Sequence, residues 1–159
     1  MSRIGIISDT HGMLRPEIAA AFGGGESIIH AGDIGGLLVM MLLKNIAPVT
    51  AVYGNTDKAS WTRDLPASAI VTVGDVRLYV LHNLADLDLD PAAAGFAAVI
   101  YGHSHRQMQE TRDGVLYFNP GSAGPRRYDL PASVGVITVE NSRVHGEIIP
   151  LPETAPTRY

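Results

Sequence analysis

The chain has no cysteine in its 159 residues. That excludes disulfides, thiolate metal sites and a cysteine nucleophile, so any metal must be held by nitrogen and oxygen. Long apolar runs are missing too. The longest aliphatic stretch, Leu37–Leu43, has seven residues, whereas a membrane span needs roughly 20. The opening MSRIGIISDTHG carries a short apolar run without a small-residue cleavage site, so no signal peptide is expected. Nor is there a basic excess. Twelve Lys and Arg stand against sixteen Asp and Glu, a net charge of −4, and Arg126–Arg127 is the only adjacent basic pair. A dedicated nucleic-acid surface is therefore not expected. A GxSxG serine elbow is also absent. What remains is 46% hydrophobic and 18% charged. That composition predicts one folded domain over residues 1–159, soluble and cytoplasmic, with no membrane association.

Apolar runs that end in polar clusters organise the chain. Residues 4–7 run into Ser8-Asp9, residues 27–29 into His30-Ala31-Gly32-Asp33, and residues 49–53 into Gly54-Asn55-Thr56-Asp57. These read as buried strands with functional loops at their C-terminal ends. Pro16 followed by 17–22 predicts a short helix closed by Gly23-Gly24-Gly25, and 37–46 predicts a buried one. The second half is richer in hairpins. Residues 69–73 and 76–81 flank Gly74-Asp75, and two further hairpins are expected around Asp113-Gly114 and Asn141-Ser142. Residues 97–101 form a strand ending in Gly102-His103-Ser104-His105, and 86–95, with Pro91 early, read as a helix. The proline-rich tail from Pro150 is expected to wrap the surface.

The residues just beyond these runs are Asp9, His11, Asp33, Asn55, Asp57, His82, His103 and His105, and they include four of the six histidines. One Asp behind a strand is ordinarily a turn residue or a helix cap. Five strand ends that each deliver a ligand to one edge are something else. Asp9-x-His11 and His103-x-His105 share an i, i+2 spacing, which on extended backbone points both side chains to one side. Imidazoles mixed with carboxylates suit Mn, Fe, Zn, Co or Ni better than Mg or Ca. Asp57 apart, the seven donors Asp9, His11, Asp33, Asn55, His82, His103 and His105 are too many for one ion and suit two, with Asp33 shared.

In order, Asp9-x-His11, Gly32-Asp33, Gly54-Asn55, His82 and Gly102-His103-x-His105 resemble the calcineurin-like metallophosphoesterases. SDTHG, HAGD, GNTD, GHSH and NPGS at 119–122 are similar to the compact bacterial and archaeal phosphodiesterase branch, and the likeness runs from residue 3 to about residue 140. The resemblance implies an α/β (α+β) fold of two mixed β-sheets packed as a sandwich with helices outside. The hairpin-rich second half fits this better than one doubly wound sheet. It implies two divalent metal ions, manganese first among Mn, Ni, Fe, Co and Zn. Asp9, His11, Asp33 and His105 would hold one ion, and Asp33, Asn55, His82 and His103 the other. Asn55, His82 and Asp57 are the candidate catalytic residues, and His30 is expected to support the site from beneath.

The chemistry implied is in-line attack on phosphorus by a hydroxide bridging metals about 3.5–4 Å apart. Two divalent ions, less Asp9, Asp33 and the hydroxide, leave one positive charge, which matches a phosphodiester better than a monoester. A small phosphate ester is thus the expected partner, with a homodimer plausible through the aliphatic helix 37–46 and the hairpins. The alternatives are a phosphomonoesterase and a non-catalytic scaffold on the same fold. Two positions depart from the family pattern. Thr56 stands where much of the superfamily has a phosphate-binding histidine, and Asn83 follows His82 where the branch has glycine. His145 and the Asn119–Ser122 loop are read as a surface residue and a buttress.

Overall fold

The computed structural model describes residues 1–127, 129–152 and the backbone of 157–158. In chain order the strands and helices are β1 (Ser2–Ile7), β2 (Met13–Leu14), α1 (Glu17–Phe22), β3 (Ser27–His30), α2 (Leu37–Ile46) and β4 (Val49–Ala51). Then come β5 (Ser68–Val73), β6 (Val76–Leu81), β7 (Ala98–Ile100), β8 (Met108–Arg112), β9 (Val115–Asn119), β10 (Ser133–Glu140), β11 (Arg143–Pro150) and β12 (Thr157–Arg158). The helices expected over 17–22 and 37–46 form, as do all three expected hairpins.

Ten of these strands build two mixed five-stranded sheets, ordered β11-β10-β1-β3-β4 and β5-β6-β7-β9-β8, while β12 pairs with β2. The register follows the alternation of side chains. In β1, Ile4 and Ile6 face the second sheet and pack with Ile29, Leu78, Val80, Ile100, Phe118 and Ile137. Ile7 belongs to the opposite face, where Ile18, Phe22, Val39, Met40 and Leu43 of the two helices cover the first sheet. The sandwich therefore has its main core between the sheets and a second under the helices. Each fully buried Ile or Phe contributes about 1.5–3 kcal/mol of transfer free energy. On the outer face of α2, Leu37, Leu38 and Met41 are half exposed.

In each sheet three adjacent strands run parallel: β1, β3 and β4, with β4 at the edge, in one, and β6, β7 and β9 in the other. Their C-terminal ends carry Asp9, Asp33, Asn55, His82, His103 and Asn119. Parallel strands gather chain-distant residues at one edge because every carboxyl end points the same way.

One expected element is corrected. Residues 86–95 are not a helix. A single 3-10 turn spans Leu84–Asp86, and a separate turn follows Pro91. The Asn83 side chain accepts from Ala85 N at 3.0 Å and so closes the first turn. The Asp90 carboxylate accepts from Ala92 and Ala93 N and opens the second, which Gly95 ends at φ +82°. Leu87 and Leu89 are two apart and the alanines between 92 and 94 offer no apolar stripe, so nothing rewards a longer helix. The tail beyond Pro152 lies largely outside the described residues. Among the described residues no helix is long and apolar enough to cross a membrane.

Candidate metal centre

Seven side chains from both sheets converge where the parallel strands end. Asp9, His11 and His105 form one group of potential ligands, and Asp33, His82 and His103 a second. In the first, Asp9 Oδ1 lies 3.3 Å from His105 Nε2 and 3.8 Å from His11 Nε2. In the second, His82 Nε2 lies 3.3 Å from Asp33 Oδ2, 3.3 Å from His103 Nδ1 and 3.1 Å from Asn55 Oδ1. Asn55 Oδ1 is also 3.1 Å from His103 Nδ1, which brings the amide into this group. Two carboxylate oxygens reach across the groups: Asp9 Oδ1, 4.0 Å from His82 Nε2, and, closer, Asp33 Oδ2. Asp33 Oδ2 is 3.8 Å from His11 Nε2 and 3.3 Å from His82 Nε2, while Asp33 Oδ1 is turned away and accepts from Thr56 N at 3.0 Å.

The i, i+2 argument needs correcting. Asp9 and His11 do share a group, but His103 and His105 part company, one to each. The cause is backbone conformation. Asp9, His11, Asp33, His103 and His105 all have φ between 47° and 72°, the left-handed region that non-glycine residues avoid. The chain twists at each ligand, so the extended-strand rule does not apply. Such strain persists where surrounding contacts over-determine it. Two glycines permit the close approach. A Cβ on Gly54 would collide with the Asp33 backbone and carboxylate, and one on Gly102 with Ser8 Oγ and Asp9 Oδ2.

The outer contacts orient the donors. Asp9 Oδ2 accepts from Ser8 Oγ at 2.6 Å and from His103 N at 3.1 Å, which aims Oδ1 into the site. His82 Nδ1 donates to Ala31 O at 2.7 Å, so in the neutral ring the Nε2 lone pair faces Asp33 and Asn55. His30 is fully buried but touches no ligand side chain. Its Nδ1 accepts from Gly32 N at 3.1 Å, so Nε2 carries the proton and donates to Thr10 Oγ1 at 2.9 Å, and that hydroxyl donates on to Ile34 O. The chain of bonds ties the Asp9 loop to the Asp33 loop. In the Asn119–Ser122 segment, Asn119 Nδ2 donates to Gly102 O and Ser122 Oγ to Asp9 O, so this loop buttresses two ligand segments. His145 is exposed.

Asp57 takes a different place from that expected of a catalytic residue. Its two oxygens accept from the backbone N–H groups of Asp33 (2.9 Å), Ile34 (3.0 Å), Gly35 (3.2 Å) and Gly54 (2.8 Å). A carboxylate bonded to four amides is committed to holding the loops. The turn that closes from Asp57 N to Gly54 O folds the side chain back beneath them. Ser8 and Thr10 carry structural roles that spacing did not reveal, because their partners are set by tertiary contact.

Protonation follows from this crowding. Burial alone would raise the Asp9 carboxyl, but His105, Ser8 and the nearby His82 hold it below the usual value. Burial would likewise raise Asp33, and contacts with His82 and Thr56 hold it well below. Burial pushes His11 down against the pull of Asp33 and Asp9, with the Arg127 charge adding to the fall. For His82 burial pushes down, yet Asp33, Asp9 and the Ala31 carbonyl carry it above its usual value. Burial takes His30 to about 4, so it is neutral.

The donor set fits metal ions. Asp9 Oδ1 is buried and has no hydrogen-bond partner among the described residues. A desolvated carboxylate oxygen without a donor is costly unless a cation takes it. The convergence of Asn55 Oδ1, Asp33 Oδ2 and the His82 Nε2 lone pair likewise calls for a proton or a metal between them.

Comparison with known proteins gives a consistent picture. Residues 2–142 match the calcineurin-like phosphoesterase superfamily domain. A phosphodiesterase of Methanocaldococcus jannaschii is 31% identical over 157 residues, covering 87% of this chain and 93% of that protein. A probable metallophosphoesterase of Methanothermobacter thermautotrophicus is 31% identical over 161 residues, 92% of this chain and 91% of that protein. Among solved structures, an archaeal phosphodiesterase superposes with a TM-score of 0.73 at 25% identity, covering 92% of this chain and 99% of that one. Vps29 of Chaetomium thermophilum reaches 0.81 at 17% identity over 100% and 97% of the two chains, a likeness of fold.

Proposed function

Because the chain belongs to the calcineurin-like phosphoesterase superfamily, we propose that it is a dinuclear, metal-dependent phosphodiesterase. The observation that carries this reading is the position of Asp33 Oδ2, within 3.8 Å of a histidine nitrogen from each ligand group. Asp9, His11, Asp33 and His105 would hold one ion, and Asp33, Asn55, His82 and His103 the other. When bound, two divalent ions supply Lewis-acid polarisation of the phosphoryl group and activate water at neutral pH.

The protein's own contribution is placement. Ser8 and His103 N hold one oxygen of Asp9 so that the other faces the site. Thr56 N does the same for Asp33, and Ala31 O sets the tautomer of His82. Asn55, exposed at the rim, offers its amide to the substrate side. Water oxygen bonds to phosphorus as the opposite ester P–O bond breaks, giving a monoester and an alcohol. Thr56 has no titratable proton at neutral pH, so substrates whose alcohol departs without proton help should turn over best.

The test is a screen of purified protein with Mn, Ni, Fe, Co and Zn added in turn, against chromogenic phosphodiesters and monoesters, with metal content measured in parallel. Two metal equivalents and faster diester turnover, with manganese among the best activators, are expected. One equivalent at full activity would overturn the dinuclear reading, and monoester preference the diester reading.

A further inference from the structure

A cavity of about 370 Å³ opens beside the second ligand group, with Asn55 and His82 in its wall. It does not adjoin the first group, since neither Asp9, His11 nor His105 lines it. Ligand pockets of about 300–1,000 Å³ hold small molecules, so this one has room for one arm of a diester whose phosphate sits at the metal edge.

Its walls carry two tyrosines, Tyr53 and Tyr79, and two carboxylates, Asp86 and Asp88, and no Lys or Arg. The acidic residues of the 83–93 segment divide by role. Asp90 is taken up by the backbone of Ala92 and Ala93, and neighbouring Asn83 by that of Ala85. Asp86 and Asp88 have no side-chain hydrogen bond or ion pair among the described residues, and both are exposed at the pocket. Asn83 thus shapes the turn that brings Asp86 to the wall.

We propose that this pocket receives the arm of the phosphodiester that stays on phosphorus, and that Asp86 and Asp88 select an arm carrying a positive charge, as in an amino-alcohol ester. This rests on the phosphodiesterase reading above. An ammonium group placed there meets two carboxylates and two tyrosine side chains, groups that attract cations. An arm bearing another negative charge meets repulsion and no compensating cation. Because the carboxylates are exposed, the attraction is screened by salt.

Two substrates test this with the chemistry held constant. 4-Nitrophenyl phosphorylcholine and bis(4-nitrophenyl) phosphate both release nitrophenolate and differ in the remaining arm. kcat/KM for each is measured on manganese-loaded wild type and on Asp86→Asn, Asp88→Asn and the double variant, at low and high salt, with metal content checked. In wild type the choline ester should be favoured relative to its rate on the double variant by about 3- to 10-fold, the range of two solvent-exposed charge contacts. The aryl diester should change little, and high salt should reduce the preference. Turnover of both substrates with a choline-to-aryl ratio unchanged in the double variant would overturn the arm assignment alone. No turnover of either substrate by wild type would overturn the phosphodiesterase reading and this assignment with it.

Discussion

In the first ligand group Asp9 and His105 are buried and His11 is half-buried, and all three sit on left-handed backbone. In the second, Asp33 and His82 are buried, but His103 and Asn55 face solvent, and His82 leaves its strand without such a twist. The pocket opens only on the second group. The fold thus builds one enclosed candidate ligand group, with a buried carboxylate oxygen that has no hydrogen-bond donor, and one group open to the pocket, with left-handed backbone in both. Enclosure strengthens electrostatic attraction to a cation, so the first position should bind metal more tightly. Asp33 joins the two, because one of its oxygens faces both.

Removing that joint should have the largest effect. In Asp33→Asn both positions lose a ligand, and activity should fall on the order of 10²–10³-fold or more, the scale of losing one preorganised electrostatic contact. Metal analysis should show occupancy falling at both positions, the second more. Two full equivalents with near-normal turnover would remove the bridge. Asp9→Asn should instead empty the first position and leave the second partly filled, which would separate the two groups directly.

A smaller effect is expected one step outward. Asp57→Asn keeps the volume but turns an acceptor oxygen into an NH₂ donor facing backbone N–H groups. The Asp33 and Asn55 loops should loosen, with metal affinity down about 10–100-fold, as for other partners that orient ligands. The signature is in metal binding and, with manganese, in the spin coupling between ions. Asp57→Glu should not restore it, since the longer side chain cannot sit on the same four amides. A variant that binds metal normally but loses a basic limb of the pH profile would return Asp57 to a proton-transfer role.

The mildest separation is by pH. Protons compete with metal for histidine nitrogen. The folded protein raises the affinity of His82 for a proton and lowers that of His11. On acidification through the histidine range, the second group should therefore protonate first and shed its ion first, by up to about tenfold in affinity per pH unit for each proton displaced. His30 acts on the metal-free protein in a different window. Its pKa is held down at about 4, so the unfolded chain takes up the proton more readily than the fold. Stability from this residue is present above the unfolded value of about 6.5 and declines as pH falls toward 4. Metal content after dialysis at stepped pH should pass from two equivalents through one. A single step from two to none would deny the two groups their difference.

Much of this molecule is legible in the chain itself. Apolar runs of three to six residues, most ending in a polar cluster, locate the strands, because a strand buried on both faces must be largely apolar. Gly-Asp, Gly-Asn and Gly-His pairs mark the ligand loops, and their glycines prove to be sites of close approach. The helix expected over 86–95 failed because the capping powers of Asn83 and Asp90 outweighed a weak apolar pattern, and both caps are local. The rest was decided by the tertiary structure. Periodicity governs which side a residue faces on regular backbone, and the ligand loops are not regular. Left-handed φ at five ligand positions sends His103 and His105 to different groups, and no spacing rule contains that. Asp57 looks identical in sequence whether it meets a substrate or four amides; which amides surround it depends on how β3 and β4 pair. Asp86 and Asp88 gain a shared purpose only where the end of β6 lies beside the loop after β4. Residue identity determined which atoms could hold a metal, while long-range backbone placement determined which of them come together and which group the pocket adjoins.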